Sequence, residues 1–174
     1  MKRQKGLTLL ELMITIAIVA IVVTLGAPSI LTAQRNLALS GAVENSYFAL
    51  QQARSHAVRQ SSDILVDFSD NAGWCIGTTD QGDCDCNVAA SCTVDGVEQV
   101  LSSEDFPHIQ MQNVNFGADD QAVFDGTRGL SIGSAGTLEF NDGNRTARLS
   151  LNDVGRVSIC VVAGDLGNYE PCAL

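Results

Sequence analysis

Six cysteines, Cys75, Cys84, Cys86, Cys92, Cys160 and Cys172, are the residues of this chain with the most chemistry open to them. An even number of thiols in an exported segment reads as a disulfide framework, with many connectivities open to six cysteines. The spacing Cys84-Asp85-Cys86 could serve a metal, but no histidine stands near it and an oxidising compartment favours the disulfide, so no metal is expected. His56 and His108 each stand alone, with no nucleophile or second ligand at a motif spacing, and no catalytic residue is expected. Two acidic sets, Asp80 with Asp83 and Asp85, and Asp119-Asp120 with Asp125, offer oxygens to calcium without the spacing of a calcium loop; they read as solvated turns. The chain is read as neither an enzyme nor a carrier of a cofactor.

Glu11 is the other reactive position. It lies in Leu7-Thr8-Leu9-Leu10-Glu11, at the start of an apolar run in which Leu12 through Gln34 carry no charged side chain. About 20 apolar residues cross a bilayer as a helix. Lys2, Arg3 and Lys5 precede the run, and cations on one flank are retained on the cytoplasmic side, so everything after the span is expected outside the inner membrane. A carboxylate in such a helix is costly and is kept for a function or a partner, so Glu11 asks for a cation. A plain signal anchor or secretory signal is the alternative. A cleavable signal does not normally carry such a Glu, and cutting after Ala27 would place Pro28 next, which disfavours that peptidase.

The elements that position these residues follow from periodicity. From Ser29 to about Gln60, Leu39, Val43, Tyr47, Leu50, Ala53 and Ala57 recur three or four apart, the stripe of an amphipathic helix that packs on a sheet. Arg35, Arg54 and Arg59 fall off that face and read as solvated, and Gly41 is a weak point costing about 1 kcal/mol against Ala. Beyond Ser62 come short strand-like runs: 63–68, 74–76, 97–101, 109–116, 122–124, 137–140, 147–151 and 156–162. Turns are expected at Asn71-Ala72-Gly73, Asp125-Gly126 and Asn141-Asp142-Gly143-Asn144, the last as a hairpin. The fold class is α+β, a long amino-terminal helix packed on an antiparallel sheet or sandwich. The organisation is a basic leader 1–6, a transmembrane helix 7–28, an amphipathic half 29–61 and a β domain 62–174 with disulfides. The formal charge is −10, and the chain without Lys2, Arg3 and Lys5 is three units more negative, a surface that disfavours phosphate backbones.

The amino terminus resembles the type IV pilins and the pseudopilins of type II secretion. Gly6 ends a basic leader, Leu7 begins the mature chain, and Glu11 is fifth from it. The resemblance implies cleavage between Gly6 and Leu7 by a prepilin peptidase, N-methylation of Leu7 by the same enzyme, and pairing of Glu11 with the amine of a neighbouring subunit in a filament, where a buried charge is tolerated when paired. The family usually has Phe where this chain has Leu7. Pro28 matches a proline at similar depth in the family and is expected to break or kink the helix. The resemblance also implies a Cys160–Cys172 bridge like the disulfide-bounded loop of many pilins, with the other four cysteines pairing locally.

The carboxyl half is most similar to the GspH/FimT-type minor pseudopilins, through Gly73-Trp74, Phe124-Asp125-Gly126-Thr127-Arg128-Gly129, Gly136-Thr137-Leu138 and Gly155-Arg156-Val157-Ser158-Ile159-Cys160. Taken singly, each glycine reads as an ordinary turn residue. The resemblance implies a minor pilin that primes or caps type IV pilus assembly, with a pseudopilin of type II secretion as the alternative and a DNA-uptake receptor as a second. The last is disfavoured, because the tail from Val161 to Leu174 has no Lys or Arg, although Arg128, Arg145, Arg148 and Arg156 could form a basic patch. Implied partners are other minor pilins, the major pilin, the inner-membrane assembly platform and the prepilin peptidase. The expected place is the inner membrane with a periplasmic carboxyl-terminal domain, then the tip of a pilus or pseudopilus.

Overall fold

A computed structural model describes residues 8–70, 73–117, 119–167 and 169–173, leaving aside the side chains of 26–31. The chain divides into two compact units, Met1–Asn36 and Leu37–Leu174.

In the first unit the element is the amino-terminal part of α1, which spans Leu9–Gln60. Its exposed side chains from Leu9 to Leu25 are almost all apolar. The hydroxyls among them are turned back on the helix: Thr15 donates to the Leu12 carbonyl, and Thr24 to those of Ala20 and Ile21. Among the described residues no helix is long and apolar enough to cross a membrane. The expected span 7–28 reaches outside them at Leu7 and, for side chains, at 26–28. A break at Pro28 is not what the backbone does, since α1 continues through that position. Proline removes one donor, and the helix propagates from both sides of that single gap.

In the second unit the rest of α1 lies against β structure. Leu39, Val43, Leu50, Ala53 and Ala57 are fully buried, and Tyr47 is half-buried. Ala42 and Ser46 are buried as well; the Ser46 hydroxyl donates to the Ala42 carbonyl, so a polar residue sits on the apolar face at no cost in unmet hydrogen bonds. Gly41 is a contact site, because a Cβ there would stand 3.1 Å from the Phe106 ring.

The strands are β1 (Ile64–Ser69), β2 (Cys75–Thr79), β3 (Thr93–Val94), β4 (Val97–Glu98), β5 (Val100–Ser102), β6 (Gln110–Phe116), β7 (Gln121–Phe124), β8 (Gly136–Asn141), β9 (Thr146–Leu151) and β10 (Val157–Ala163). They form an antiparallel sheet ordered β5-β2-β1-β7, another ordered β10-β9-β8-β6, and the small β3-β4 pair. The fold is α+β. The expected strand 97–101 is two pieces, separated at Gln99, whose N–H donates to Cys92 and whose carbonyl accepts from Thr78. The β3 strand has no signature in the sequence, as two residues are too short to show a period. β1 alternates buried Ile64, Val66 and Phe68 with half-buried neighbours, whereas β2 is buried throughout. The core joins Phe116, Phe124, Phe140, Leu138 and Leu149 to the α1 stripe. Trp74 sits edge-on to Phe140 at 5.1 Å, with its indole N–H on the Ile109 carbonyl.

Candidate functional site

Gly6 and Leu7, the expected cleavage pair, lie outside the described residues. Glu11 lies within them, exposed, in the first turn of α1. Thr8 caps that helix: its carbonyl accepts from Leu12 N at 3.2 Å and its Oγ1 from Glu11 N at 3.2 Å. Thr8-x-x-Glu11 is the capping-box spacing, a signal that the sequence itself carries. A carboxylate there also faces the positive end of the helix dipole. Glu11 thus has a local role in starting the helix, and its exposed carboxylate remains available to a cation.

The cysteines form three bridges, Cys75–Cys86, Cys84–Cys92 and Cys160–Cys172. The first two close over the outer face of β2, where a Cβ on Gly77 would stand 2.3 Å from Cys92 Sγ. This cover is why β2 is buried on both faces. With Cys84 and Cys86 each bonded to another partner, neither thiol is available to a metal. The third bridge ties the tail to β10, where Val161 N donates to Glu170 O, Cys172 N donates to Val161 O, and Leu166 is buried. Tyr169 extends this loop to α1, donating from its hydroxyl to Glu44 Oε1 at 2.6 Å; burial, then that carboxylate, push its pKa up to about 12.

Four glycines of the loop motifs are crossing points. A Cβ on Gly126 would lie 2.3 Å from Ser62 N, and one on Gly136 2.1 Å from the Asn115 carbonyl oxygen. At Gly155 it would lie 2.3 Å from the Gly129 carbonyl oxygen and 3.1 Å from Arg54 Nε; at Gly129 it would lie 3.1 Å from Arg54 Cγ. Arg54 is therefore half-buried beneath two loops, which corrects its expected role as a solvated charge. Its stem supplies the surface on which Gly129 and Gly155 meet, a use of a long cationic side chain that periodicity cannot show.

The four arginines of the possible basic patch are largely spoken for. Arg145 pairs with Asp142, Arg148 with Glu139 at 2.7 Å, and Arg128 lies 3.9 Å from Asp125; Arg156 is exposed. At Glu139 burial opposes ionisation, but hydrogen bonds from Arg148 and Asn113 prevail and hold its pKa below the usual range. Asp142 is lowered in the same way: burial is outweighed by the Asn144 and Arg145 backbone N–H groups and the Arg145 guanidinium. Of the acidic sets, Asp80 turns to Gln81 and Asp95 N, while Asp83 and Asp85 gather near Asp67, whose pKa is raised by burial and further by both carboxylates. Asp125 accepts from Thr127 N and Arg128 N and closes its own turn, and Asp120 accepts from Phe116 N. Among the described residues no group of three or more His, Cys, Asp or Glu is placed to hold a metal. His56 lies on the rim of a cavity of about 170 Å³ between α1 and β2, its ring nitrogens occupied by Gln52 and Arg59.

The segment that contains the α1 stripe from Val43 onward and all four crossing glycines, residues 42–155, matches the family described as Type II transport protein GspH. The chain belongs to this family. Residues 1–27 of this GspH-family chain match the prokaryotic N-terminal methylation motif. The Cys160–Cys172 loop lies beyond the matched region. Two crystal forms of the type IV minor pilin FimU of Pseudomonas aeruginosa are similar in structure. One is 19% identical, with a TM-score of 0.48 over 70% of this chain and 91% of that one. The other is 18% identical, with a TM-score of 0.47 over 75% and 90%. Among curated proteins none matches. A GspH-family chain with this motif is a structural subunit of the minor pilin and pseudopilin kind, not an enzyme.

Proposed function

We propose that this chain is a minor pilin that primes or caps a type IV pilus, cleaved between Gly6 and Leu7, N-methylated at Leu7, and held in the inner membrane by its apolar segment until it is extracted into a filament. The observation that carries this reading is the register of Gly6, Leu7 and Glu11 inside the matched methylation motif. Cleavage creates an ammonium about one helical turn before Glu11, and the corresponding amine of a neighbouring subunit is the cation this carboxylate needs. The peptidase, the assembly platform and other pilins are the partners such processing requires, and the β domain lies on the periplasmic side. A second reading, a pseudopilin of type II secretion, is favoured by the family's own description. Direct DNA binding is not supported, because three of the four candidate arginines face carboxylates.

The test is the mass of the amino-terminal peptide from membrane-extracted protein, with and without the prepilin peptidase. A peptide beginning at methylated Leu7 only when the peptidase is present is the expected result; one beginning at Met1 in both sinks the proposal. Deletion of the gene then separates the machines, since lost piliation with normal secretion marks a pilus and the converse a pseudopilus. Glu11→Ala is expected to leave cleavage intact and reduce the subunit's share in sheared filaments at least tenfold; an unchanged share removes the pairing argument.

A further inference from the structure

Asn144 and Arg145 of the turn between β8 and β9, with Thr146 at the start of β9, form Asn144-Arg145-Thr146, and no other asparagine in the chain is followed two positions on by Ser or Thr. Asn-x-Ser/Thr with x other than proline is the acceptor pattern for N-linked glycans. Oligosaccharyl transfer on the periplasmic side of bacterial membranes additionally takes an acidic residue two positions before the asparagine, and Asp142 stands there. Asn144 is exposed at the hairpin tip. Its backbone N–H donates to Asp142 Oδ1 at 2.9 Å, and among the described residues its side-chain amide makes no hydrogen bond. From these observations we propose that Asn144 is an N-glycosylation site.

The reaction is a substitution at the anomeric carbon of a polyprenyl-pyrophosphate-linked oligosaccharide. Asn144 Nδ2 forms the new C–N bond, the sugar's bond to the pyrophosphate oxygen breaks, the lipid pyrophosphate leaves, and the amide proton passes to the transferase. The fold dictates when this happens. Thr146 is buried and its Oγ1 accepts from Asn141 Nδ2 at 2.8 Å, while Asp142 is buried against Arg145. Both recognition side chains are thus closed to an enzyme once the hairpin forms, whereas the acceptor amide stays outside. Transfer therefore precedes closure, on the chain newly exported across the membrane. Afterwards the glycan stands on the tip without displacing any core residue, because Asn144 is exposed and, among the described residues, its hydrogen bonding is confined to its backbone N–H.

The inference rests on the periplasmic placement proposed above, and one measurement distinguishes the two. Intact mass and peptide mass are recorded on full-length protein extracted from its own host's membranes, alongside Asn144→Gln. The expected result is a glycan mass on the peptide ending at Arg145, present in most molecules and absent from Asn144→Gln. Recovery of that peptide unmodified, from protein whose amino terminus is methylated Leu7, overturns the glycan and leaves the pilin reading intact. A glycan with an amino terminus at Met1 does the reverse. Asp142→Glu, which keeps the acid, is expected to retain the modification, whereas a mass increment that survives in Asn144→Gln overturns the assignment.

Discussion

At Gly155 a φ of 72° and the Gly129 carbonyl oxygen, 2.3 Å from where a Cβ would sit, act on the same position. Gly155→Ala therefore meets left-handed backbone strain of about 1–3 kcal/mol together with a backbone overlap. A lowered urea midpoint with an unchanged slope is expected for the detergent-extracted chain, and an unchanged midpoint would show that the two loops can separate freely. Glu139 and Asp142 make a prediction about acid. Both carboxyls have folded-state pKa values lowered from 4.5 and 3.8, so the stability they contribute is present above those values and is lost as pH falls through the lowered ones. Glu139→Gln should flatten the acid limb of a stability profile below about pH 4.5. Tyr169 runs the other way: raised from 10.0 to about 12, its contribution is present below pH 10 and lost as pH rises toward 12. Thermal scans across that window should show a shallower alkaline decline for Tyr169→Phe.

At the scale of elements, the stripe on α1 was readable because helical period and burial coincide. Leu39, Val43, Leu50, Ala53 and Ala57 are fully buried. Leu50→Ala is expected to cost about 2–5 kcal/mol by denaturant unfolding, the range for a leucine whose surroundings cannot collapse into the space. The strands were similarly readable, and the Asn141 to Asn144 turn joins β8 to β9 as an antiparallel pair. Less was visible where partners come from far along the chain. Arg54 looked like a surface charge because its partners, Gly129 and Gly155, are loops distant in sequence. β2 loses the alternation of a half-exposed strand because two disulfides cover its outer face. The tail loop is bounded by Cys160 and Cys172, outside the family-matched segment. Replacing both with serine should cost about 2–4 kcal/mol, read as a drop in melting temperature with the far-ultraviolet spectrum unchanged.

At the scale of the whole molecule, charge decides more than any single site. A formal charge of −10, more negative without the leader, repels a polyanion, and Arg145 and Arg148 are neutralised by Asp142 and Glu139. The full chain in neutral detergent should give no mobility shift with duplex DNA at physiological salt. A shift that weakens with added salt would instead reveal a counterion-releasing surface.

Class was legible in the chain by itself. The basic leader, the apolar run, Glu11 at its register and the change to short strands are local patterns, and a local pattern needs only neighbouring residues to be recognised. The roles within the folded unit were not so encoded. That four of the motif glycines are crossing points instead of plain turns, and that Arg54 is a packing surface, both depend on segments far apart in sequence being brought within a few ångströms. Only the packing of α1 and the loops in the second unit decides those distances, because contact depends on position in space and no periodicity along the chain records it.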